Sequence, residues 1–114
     1  MDESRANAGS LVGKVALVTG AGGEIGGAIA ARFAREGACV VVGDIRLEAA
    51  QEQAAIIAGQ GGHAIAVKLD VSDSESCHMS VAFACESFGK LTILVNVAAA
   101  VTRDGTVETL DLEE

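Results

Sequence analysis

The sequence predicts an α/β fold built on a doubly wound parallel sheet. Short Val-rich apolar runs alternate with longer runs of helical periodicity, Gly residues stand at most of the junctions, and half of the 114 residues are hydrophobic. Such alternation places the strands parallel, with right-handed helical crossovers between them. A chain of this length suits one domain with a core of its own, which excludes general disorder.

Four apolar runs predict the strands. They are Lys14–Thr19, Ala38–Gly43, His63–Leu69 and Leu91–Val95. The first two runs are continuously apolar instead of alternating, which is typical of strands buried on both faces of a parallel sheet. A dinucleotide-binding sheet of Rossmann type normally has six strands. The sequence therefore predicts a Rossmann-type sheet truncated to about four strands, in the spatial order 3-2-1-4.

A helix is predicted after each of the first three strands, because apolar residues recur there at helical spacing. The first helix spans residues 25–36 and ends at Gly37, and the second spans residues 47–58. The third is predicted to begin with a capping-box pair, Ser72 and Glu75, and to end at Gly89. The predicted core-facing residues are Ile25, Ala28, Ile29 and Phe33 in the first helix, and Cys77, Val81, Ala84, Cys85 and Phe88 in the third.

The two ends of the chain lie outside this alternation. Residues 1–10 are polar and predict a flexible tail, so that residues 11–114 form the N-terminal part of a single Rossmann-type domain. Asp111 and Glu114 form a further N-cap signature. It predicts the first turn of a helix whose remaining residues are not in this sequence. The fourth strand is expected to be an unpartnered hydrophobic edge, which natural domains avoid or protect. The chain is thus predicted to be a truncated half of a larger fold.

Charge and composition exclude several classes of function. Sixteen Asp and Glu against eight Lys and Arg give a net charge of −8, and the chain has neither Tyr nor Trp. Binding to nucleic acid, which uses a basic face and aromatic stacking, is not predicted, nor is binding to anionic membranes. No run reaches the roughly 20 apolar residues of a membrane span. The N-terminal residues lack the order of a signal peptide, so we expect a cytoplasmic protein.

The cysteine and histidine residues are predicted to have no catalytic or metal-binding role. The three cysteines are odd in number and form no C-x-x-C pair, so we expect free thiols in a reducing compartment. The grouping of Cys77, His78 and Cys85 matches no metal-ligand spacing. No partner for a nucleophile–base arrangement lies near His63 or His78.

A glycine-rich turn between the first strand and the first helix is the strongest candidate for a binding site. It reads Thr19-Gly20-Ala21-Gly22-Gly23-Glu24-Ile25-Gly26. Glycines let the backbone turn sharply and approach a pyrophosphate, whose charge the amides of the helix N-terminus then hold. A tight turn without a ligand is the alternative. The strand before the turn, the helix after it and an acidic residue ending the next strand favour a dinucleotide.

That acidic residue is Asp44. Its carboxylate is placed to accept hydrogen bonds from the two ribose hydroxyls of NAD. A 2′-phosphate there would be repelled by roughly 4 kcal/mol per unit charge at about 4 Å and an effective dielectric near 20, and Arg46 is the only nearby cation. The sequence therefore predicts NAD in preference to NADP. The alternative is that Asp44 is a strand-end turn residue or a helix N-cap.

Together these residues resemble the short-chain dehydrogenase/reductase family. The family's turn, T-G-x-x-x-G-x-G, is similar to the turn described above, with Glu24 in place of the middle Gly. Asp70 and Val71 are similar to the adenine-side D-V of the family. The stretch Leu94-Val95-Asn96-Val97-Ala98-Ala99 resembles its L-V-N-N-A-G, and Thr109–Glu114 resembles the approach to its next helix. The resemblance covers the chain from about Leu11 to its end.

The resemblance implies a set of cofactor-binding residues. They are Gly20, Gly22, Gly23, Glu24, Ile25, Gly26, Asp44, Asp70, Val71, Asn96, Ala98 and Ala99. Glu24 departs from the family by adding an anion beside the pyrophosphate, at small cost if its side chain points to solvent. Val97 and Ala99 replace the second Asn and the Gly of N-N-A-G. Ala99 thereby places a methyl group where the backbone runs close to the cofactor ribose. A strand-end cap is the alternative role for Asp70.

The resemblance also implies what the chain lacks. In the family a Ser and a Tyr-x-x-x-Lys carry the catalysis, whereas this chain has no Tyr and its lysines all lie before Asn96. No catalytic residue is therefore assigned. The implied function is the NAD-binding portion of an oxidoreductase that transfers a hydride between NAD and a secondary alcohol or ketone. Substrate binding and homo-oligomer assembly belong to a complete chain, and this chain alone is expected to be inactive.

Two other interpretations stay open on the sequence alone. One is a non-catalytic module that binds a nucleotide or pairs its fourth strand with a partner chain. The other is an inactive product of a damaged or alternatively read gene. A natural module is expected to be soluble, to be monodisperse or a defined oligomer, and to bind adenine nucleotides. A fragment is expected to aggregate through its unpaired edge and its uncovered helix-packing face.

Overall fold

The computed structural model describes residues 9–97. The strands are β1 (Val15–Thr19), β2 (Cys39–Asp44), β3 (His63–Lys68) and β4 (Ile93–Asn96). The helices are α1 (Glu24–Arg35), α2 (Leu47–Gly59) and α3 (Ser74–Phe88). The predicted strands and the first three predicted helices are all present, with ends shifted by one or two residues. Most of the predicted tail and the helix start at Asp111 lie outside the described residues.

The four strands run parallel in the order β3-β2-β1-β4, which confirms the predicted order. Val15 of β1 is opposite Cys39 of β2, and Thr19 of β1 is opposite Asn96 of β4. The last residues of these strands therefore lie along one edge of the sheet. Because the chain leaves β1 toward β2 on one side and reaches β4 on the other, this edge contains a topological switch point, where open α/β sheets bind ligands.

Helices cover both faces of the sheet. One face is covered by α1 and α2, and its buried residues are Val18, Ala21, Ala30, Ala38, Val40, Val42, Ala50, Ala54 and Ile57. The other face is covered by α3, and its buried residues are Leu17, Val41, Leu69 and Ala84. Every residue of β1 is buried, as expected for a strand between two helical layers.

Burial on both faces was predicted for the first two strands, and β3 and β4 are less buried than these. Both ends of β3 are exposed and its middle is half-buried, while β4 alternates between half-buried and exposed residues. Among the described residues, each of these strands has a neighbour on one side only. Leu94 of β4 shows the consequence, because 61% of its surface is exposed although Leu17, opposite it in β1, is buried.

The predicted core stripe of α1 was also partly wrong. Ile25 is 70% exposed and Ala28 is exposed, while Ile29 and Phe33 are half-buried. The buried residues of α1 are Gly26, Gly27 and Ala30. The helix turns its smallest residues toward the preceding turn, because an added Cβ at Gly26 would lie 2.2 Å from the carbonyl oxygen of Gly20. Apolar spacing could not reveal a buried face made of glycine.

The start and the buried face of α3 required corrections as well. The N-cap is Asp73 and not Ser72. The carboxylate of Asp73 accepts a hydrogen bond from the Glu75 N–H. Within the helix, Val81 and Cys85 are exposed, and the fully buried residues are Ser80 and Ala84. The helix thus begins one residue later than predicted, and Cys77, Phe83 and Phe88 pack against the buried cluster of this face. The predicted stop at Gly89 is confirmed by its left-handed conformation.

Two further features concern the described residues as a whole. None of the three cysteines is in a disulfide. Across residues 9–97, no helix combines the length and the apolar character that crossing a bilayer requires.

Candidate functional site

The glycine-rich turn lies at the carboxyl edge of the sheet, between β1 and α1. Gly20 has a left-handed φ of 66°, which glycine adopts without strain. The N–H of Ala21 donates to the carbonyl of Gly43 in β2 at 2.9 Å, and the N–H of Gly23 donates to the carbonyl of Gly20 at 3.2 Å. The turn is therefore attached to the neighbouring strand and bends tightly back into the helix.

Space at the turn explains why two of its glycines have no side chain. A Cβ at Gly26 would meet the backbone of Gly20, as described above. A Cβ at Gly22 would lie 2.6 Å from the Cβ of Ala49 and 2.9 Å from a carboxylate oxygen of Asp44. Gly23 is different, because its nearest neighbour would be 3.6 Å away. The turn thus runs in close contact with α1 on one side and with β2 and α2 on the other.

The N-terminus of α1 has no side-chain cap. Its N-cap is Gly23, and no side chain accepts a hydrogen bond from the first turn. Among the described residues, the N–H groups of Glu24, Ile25 and Gly26 have no hydrogen-bond acceptor. Unpaired amides and the positive end of the helix dipole make such a terminus attractive to an anion. Glu24 is exposed, and a side chain that points to solvent is expected to cost little in anion binding.

Asp44 is in direct contact with the turn. One carboxylate oxygen, Oδ2, accepts a hydrogen bond from the N–H of Gly22 at 2.9 Å. The other, Oδ1, accepts one from the N–H of Arg46 at 2.9 Å. The predicted ribose-binding carboxylate and the predicted pyrophosphate-binding turn are therefore adjacent. Asp44 is half-buried.

Thr19 and Asn96 join the ends of β1 and β4. The hydroxyl of Thr19 donates to Oδ1 of Asn96 at 2.7 Å and accepts a hydrogen bond from the N–H of Val97 at 3.0 Å. The side chain of Val97 packs against the core of the α1–α2 face. From the sequence, Thr19 was only a match to the family turn, with no role predicted for its side chain. A bond between residues 77 positions apart leaves no local signal in the sequence.

Asp70 and Val71 follow β3 at the same edge. The carboxylate of Asp70 accepts hydrogen bonds from the hydroxyl of Ser72 at 2.6 Å and from its N–H at 3.0 Å. These bonds favour the ionised carboxylate and hold the pKa of Asp70 below its usual value. Val71 is half-buried against the α3 face. The N–H of Asp70 donates to the hydroxyl of Ser76 at 3.0 Å, so α3 fixes this segment.

Several predicted site residues are thus brought to one edge of the sheet. Gly20, Gly22, Gly23, Glu24, Ile25, Gly26, Asp44, Asp70, Val71 and Asn96 all lie in or beside the strand ends of that edge. Ala98 and Ala99 lie outside the described residues. Within residues 9–97, no group of three His, Cys, Asp or Glu side chains could hold a metal ion.

Of two cavities of about 390 Å³ each among the described residues, one lies beside the turn and one does not. One borders the turn, between α1 and α2, and is lined by Gly22, Gly23, Glu24, Gly27, Ala28, Ala31 and Gln53. Gln53 was not predicted as a site residue; its amide donates to the carbonyl of Gly27 at 3.1 Å and joins the two helices. The other cavity lies at the opposite, amino edge of the sheet, near Gly37 and His63, and is remote from the turn.

The fold and this edge define a Rossmann-type domain with a glycine-rich turn at its switch point. Comparison with known families matches residues 14–114 to the short chain dehydrogenase family. Because this match covers most of the chain, the protein belongs to the short-chain dehydrogenase/reductase family.

Individual relatives agree with this assignment. The chain is 46% identical over 101 residues to a 2,5-dichloro-2,5-cyclohexadiene-1,4-diol dehydrogenase of Sphingobium indicum. The aligned residues are 89% of this chain and 40% of the relative. It is 41% identical over 100 residues to a cyclohexanol dehydrogenase of an Acinetobacter species, covering 88% of this chain and 40% of the relative. The chain therefore spans about two-fifths of the length of these curated relatives.

Solved structures show the same architecture. A 7α-hydroxysteroid dehydrogenase in complex with NADH and 7-oxo glycochenodeoxycholic acid superposes with a TM-score of 0.80 at 40% identity, over 90% of this chain and 39% of that one. A hydroxysteroid dehydrogenase from Escherichia coli superposes with a TM-score of 0.79 at 41% identity, over 84% of this chain and 40% of that one. The Rossmann-type prediction is thereby confirmed.

Proposed function

We propose that this chain is the NAD-binding portion of a dehydrogenase that transfers a hydride between NAD and a secondary alcohol or ketone. The observation that carries the proposal is the contact between Asp44 and Gly22 beside the uncapped N-terminus of α1. It places a carboxylate suited to ribose hydroxyls next to amides suited to a pyrophosphate. Within the family, relatives named as dehydrogenases of cyclic alcohols support the substrate class.

The residues present fit a nicotinamide dinucleotide. The turn lacks side chains where Gly22 and Gly26 approach their neighbours, and the first amides of α1 are unpaired. When bound, the nicotinamide ring would supply the hydride chemistry. The residues proposed to hold the cofactor are Gly20, Gly22, Gly23, Glu24, Ile25, Gly26, Asp44, Asp70, Val71, Asn96, Ala98 and Ala99. A solved relative bound to NADH supports this class of cofactor.

Selectivity for NAD over NADP is proposed from the charge of Asp44. A titration of the purified chain by calorimetry, first with NAD and then with NADP, tests it. We expect NAD to bind at least about tenfold more tightly, because the carboxylate repels a 2′-phosphate. Asp44→Asn should reduce that ratio. Glu86→Gln, which removes an exposed carboxylate from α3, is the charge-matched control and should leave the ratio unchanged. Equal or tighter binding of NADP would contradict the proposal.

Catalysis is proposed to need residues that this chain does not contain. It has no Tyr, and the family's Tyr-x-x-x-Lys is downstream of the stretch resembled by Asn96–Ala99. We expect the purified chain to bind NAD without reducing it in the presence of a secondary alcohol such as cyclohexanol. Formation of NADH above the rate of a protein-free blank would show that the assignment of no catalytic residue is wrong.

The remaining proposals concern the whole protein. We propose residues 11–114 as the N-terminal part of one domain, a cytoplasmic location, and a homo-oligomer for a complete chain. The alternative is a non-catalytic module that pairs through β4, whose outer edge has no partner strand among residues 9–97. Size-exclusion chromatography with light scattering separates the two. A monodisperse species that binds NAD favours the module, and concentration-dependent aggregation favours a portion of a larger enzyme.

A further inference from the structure

Asp44 makes contacts that ribose binding does not require. Its Oδ2 bond to the Gly22 N–H links residues 22 positions apart, and its Oδ1 bond reaches the Arg46 N–H at the entry to α2. A residue that only accepted ribose hydroxyls would need neither bond. Both oxygens are instead used to connect the end of β2 with the turn before α1 and the start of α2.

Packing around Gly22 shows how closely the turn depends on this carboxylate. The φ angle of Gly22 is not in the left-handed region, so backbone conformation does not require glycine there. What requires it is space, because a Cβ would approach both Ala49 and the Asp44 carboxylate to less than 3 Å. The turn therefore rests against the side chain of Asp44. The N–H of Gly22 donates to the carboxylate.

We infer that Asp44 is a positioning residue for the pyrophosphate site: it holds the glycine-rich turn in its binding conformation before any dinucleotide arrives. This inference rests on the proposed function, in which the turn and the α1 amides hold the pyrophosphate. Asp44 then has two separable effects on a diphosphate. Its charge repels the ligand, and its hydrogen bond to Gly22 shapes the turn that binds it.

Loss of the charge should raise the affinity for diphosphate, whereas loss of the hydrogen bond to Gly22 should lower it. Asp44→Asn removes the charge but keeps a carbonyl oxygen that can accept the Gly22 N–H. Asp44→Ala removes the charge and the bond together. If the carboxylate only repels diphosphate, both variants gain affinity equally. If it also positions the turn, Asp44→Asn gains affinity while Asp44→Ala binds about tenfold more weakly than Asp44→Asn, as the loss of one hydrogen bond implies.

Inorganic pyrophosphate is the probe, because it contains no ribose and so does not report on ribose recognition. Its affinity for the wild-type chain and the two variants is measured by nuclear magnetic resonance, from amide shifts of residues 20–27. Hydrogen exchange of the Gly22 N–H without ligand is the second measurement. We expect protection in the wild type and in Asp44→Asn, and faster exchange in Asp44→Ala. Glu86→Gln is the control for charge and should match the wild type in exchange.

The outcomes separate this inference from the proposed function. Equal pyrophosphate affinity in the two variants, with equal Gly22 exchange, would overturn the positioning role while leaving NAD binding intact. Failure of the wild type to bind both NAD and pyrophosphate would contradict the proposed function instead. In that case, Gly22 exchange still decides whether Asp44 holds the turn. Circular dichroism establishes that each variant is folded, so that general unfolding of Asp44→Ala is not mistaken for loss of the site.

Discussion

At the scale of single residues, the site depends on close approaches that only glycine permits. Gly26 lies against the carbonyl of Gly20, and Gly22 lies against Asp44 and Ala49. Gly23, one position away, has ordinary space around it and a negative φ of −92°. The glycines of the turn are therefore not equivalent, although they are alike in the sequence motif.

This difference predicts different effects of alanine at positions 26 and 23. Gly26→Ala should lower the free energy of unfolding by at least about 2 kcal/mol, because its methyl group would collide with rigid backbone. Gly23→Ala should lower it by less, about 0.5–1 kcal/mol, because there is space for the methyl group and the loss is only the preference for glycine over alanine at an N-cap. Urea unfolding followed by circular dichroism measures both. Similar losses for the two variants would mean that space does not distinguish these positions.

Asp70 provides a prediction about pH. Hydrogen bonds from the Ser72 hydroxyl and then from the Ser72 N–H lower its pKa from the ordinary value of 3.8. A lowered folded-state pKa contributes stability that is present above the unfolded-state value and is lost as pH falls through the folded-state value. Ser72→Ala should therefore raise the Asp70 pKa part of the way back and weaken the loss of stability below about pH 4.

Carboxyl carbon chemical shifts, recorded as a function of pH, measure the Asp70 pKa directly. Ser74→Ala removes a nearby exposed hydroxyl that does not contact Asp70 and is the matched control. An unchanged Asp70 pKa in Ser72→Ala would contradict the role assigned to the hydroxyl.

At the scale of elements, α3 illustrates how a helix start is chosen among neighbouring polar residues. Ser72, Asp73 and Ser74 can each serve as an N-cap by residue type. Ser72 is unavailable, because its hydroxyl and its N–H both bind the carboxylate of Asp70. Asp73 therefore caps the helix, through the N–H of Glu75.

Removing the cap tests this assignment. Asp73→Ala should lower the free energy of unfolding by about 1 kcal/mol, since the Glu75 N–H loses its acceptor and the helix dipole loses an anion. Ser74→Ala should have an effect within about 0.5 kcal/mol, as for an exposed surface residue. Thermal unfolding and urea unfolding both report the change. A larger loss in Ser74→Ala than in Asp73→Ala would place the cap one residue later.

At the scale of the whole molecule, the position of a strand in the sheet decides what its side chains contribute. Leu17 and Leu94 are opposite each other in the β1–β4 register and belong to the same face. Leu17 is 2% exposed, whereas Leu94 is 61% exposed. The difference arises because β1 lies at the centre of the sheet and α3 does not extend over β4.

The two leucines should respond differently to truncation. Leu17→Ala should lower the free energy of unfolding by about 2–5 kcal/mol, since it leaves a cavity under α3. Leu94→Ala should lower it by less than about 1 kcal/mol, because little of the side chain leaves water on folding. Urea unfolding at a protein concentration low enough to prevent association provides the comparison. Equal losses would indicate that β4 is covered in solution, by another copy or by residues outside 9–97.

The sequence by itself determined the order of the elements, the strand order and the placement of the candidate residues at one edge. The order of the elements and the strand-end position of the candidate residues follow from local patterns, because apolar runs, glycine breaks and strand-end acids are local features of the sequence. The strand order follows from the fold class that these patterns indicate. The tertiary structure decided the rest. It turned Gly26, Gly27 and Ala30 inward, exposed Ile25, and left β4 half-covered.

The same division applies to the candidate site. The sequence predicted that Asp44 lies near the turn. Its hydrogen bond to Gly22 depends on the register in which β1 pairs with β2. The link from Thr19 to Asn96 likewise depends on the pairing of β1 with β4. Periodicity reports which residues repeat along a helix or strand. Which of them meet across the fold depends on contacts between distant segments, and these form only when the chain has folded.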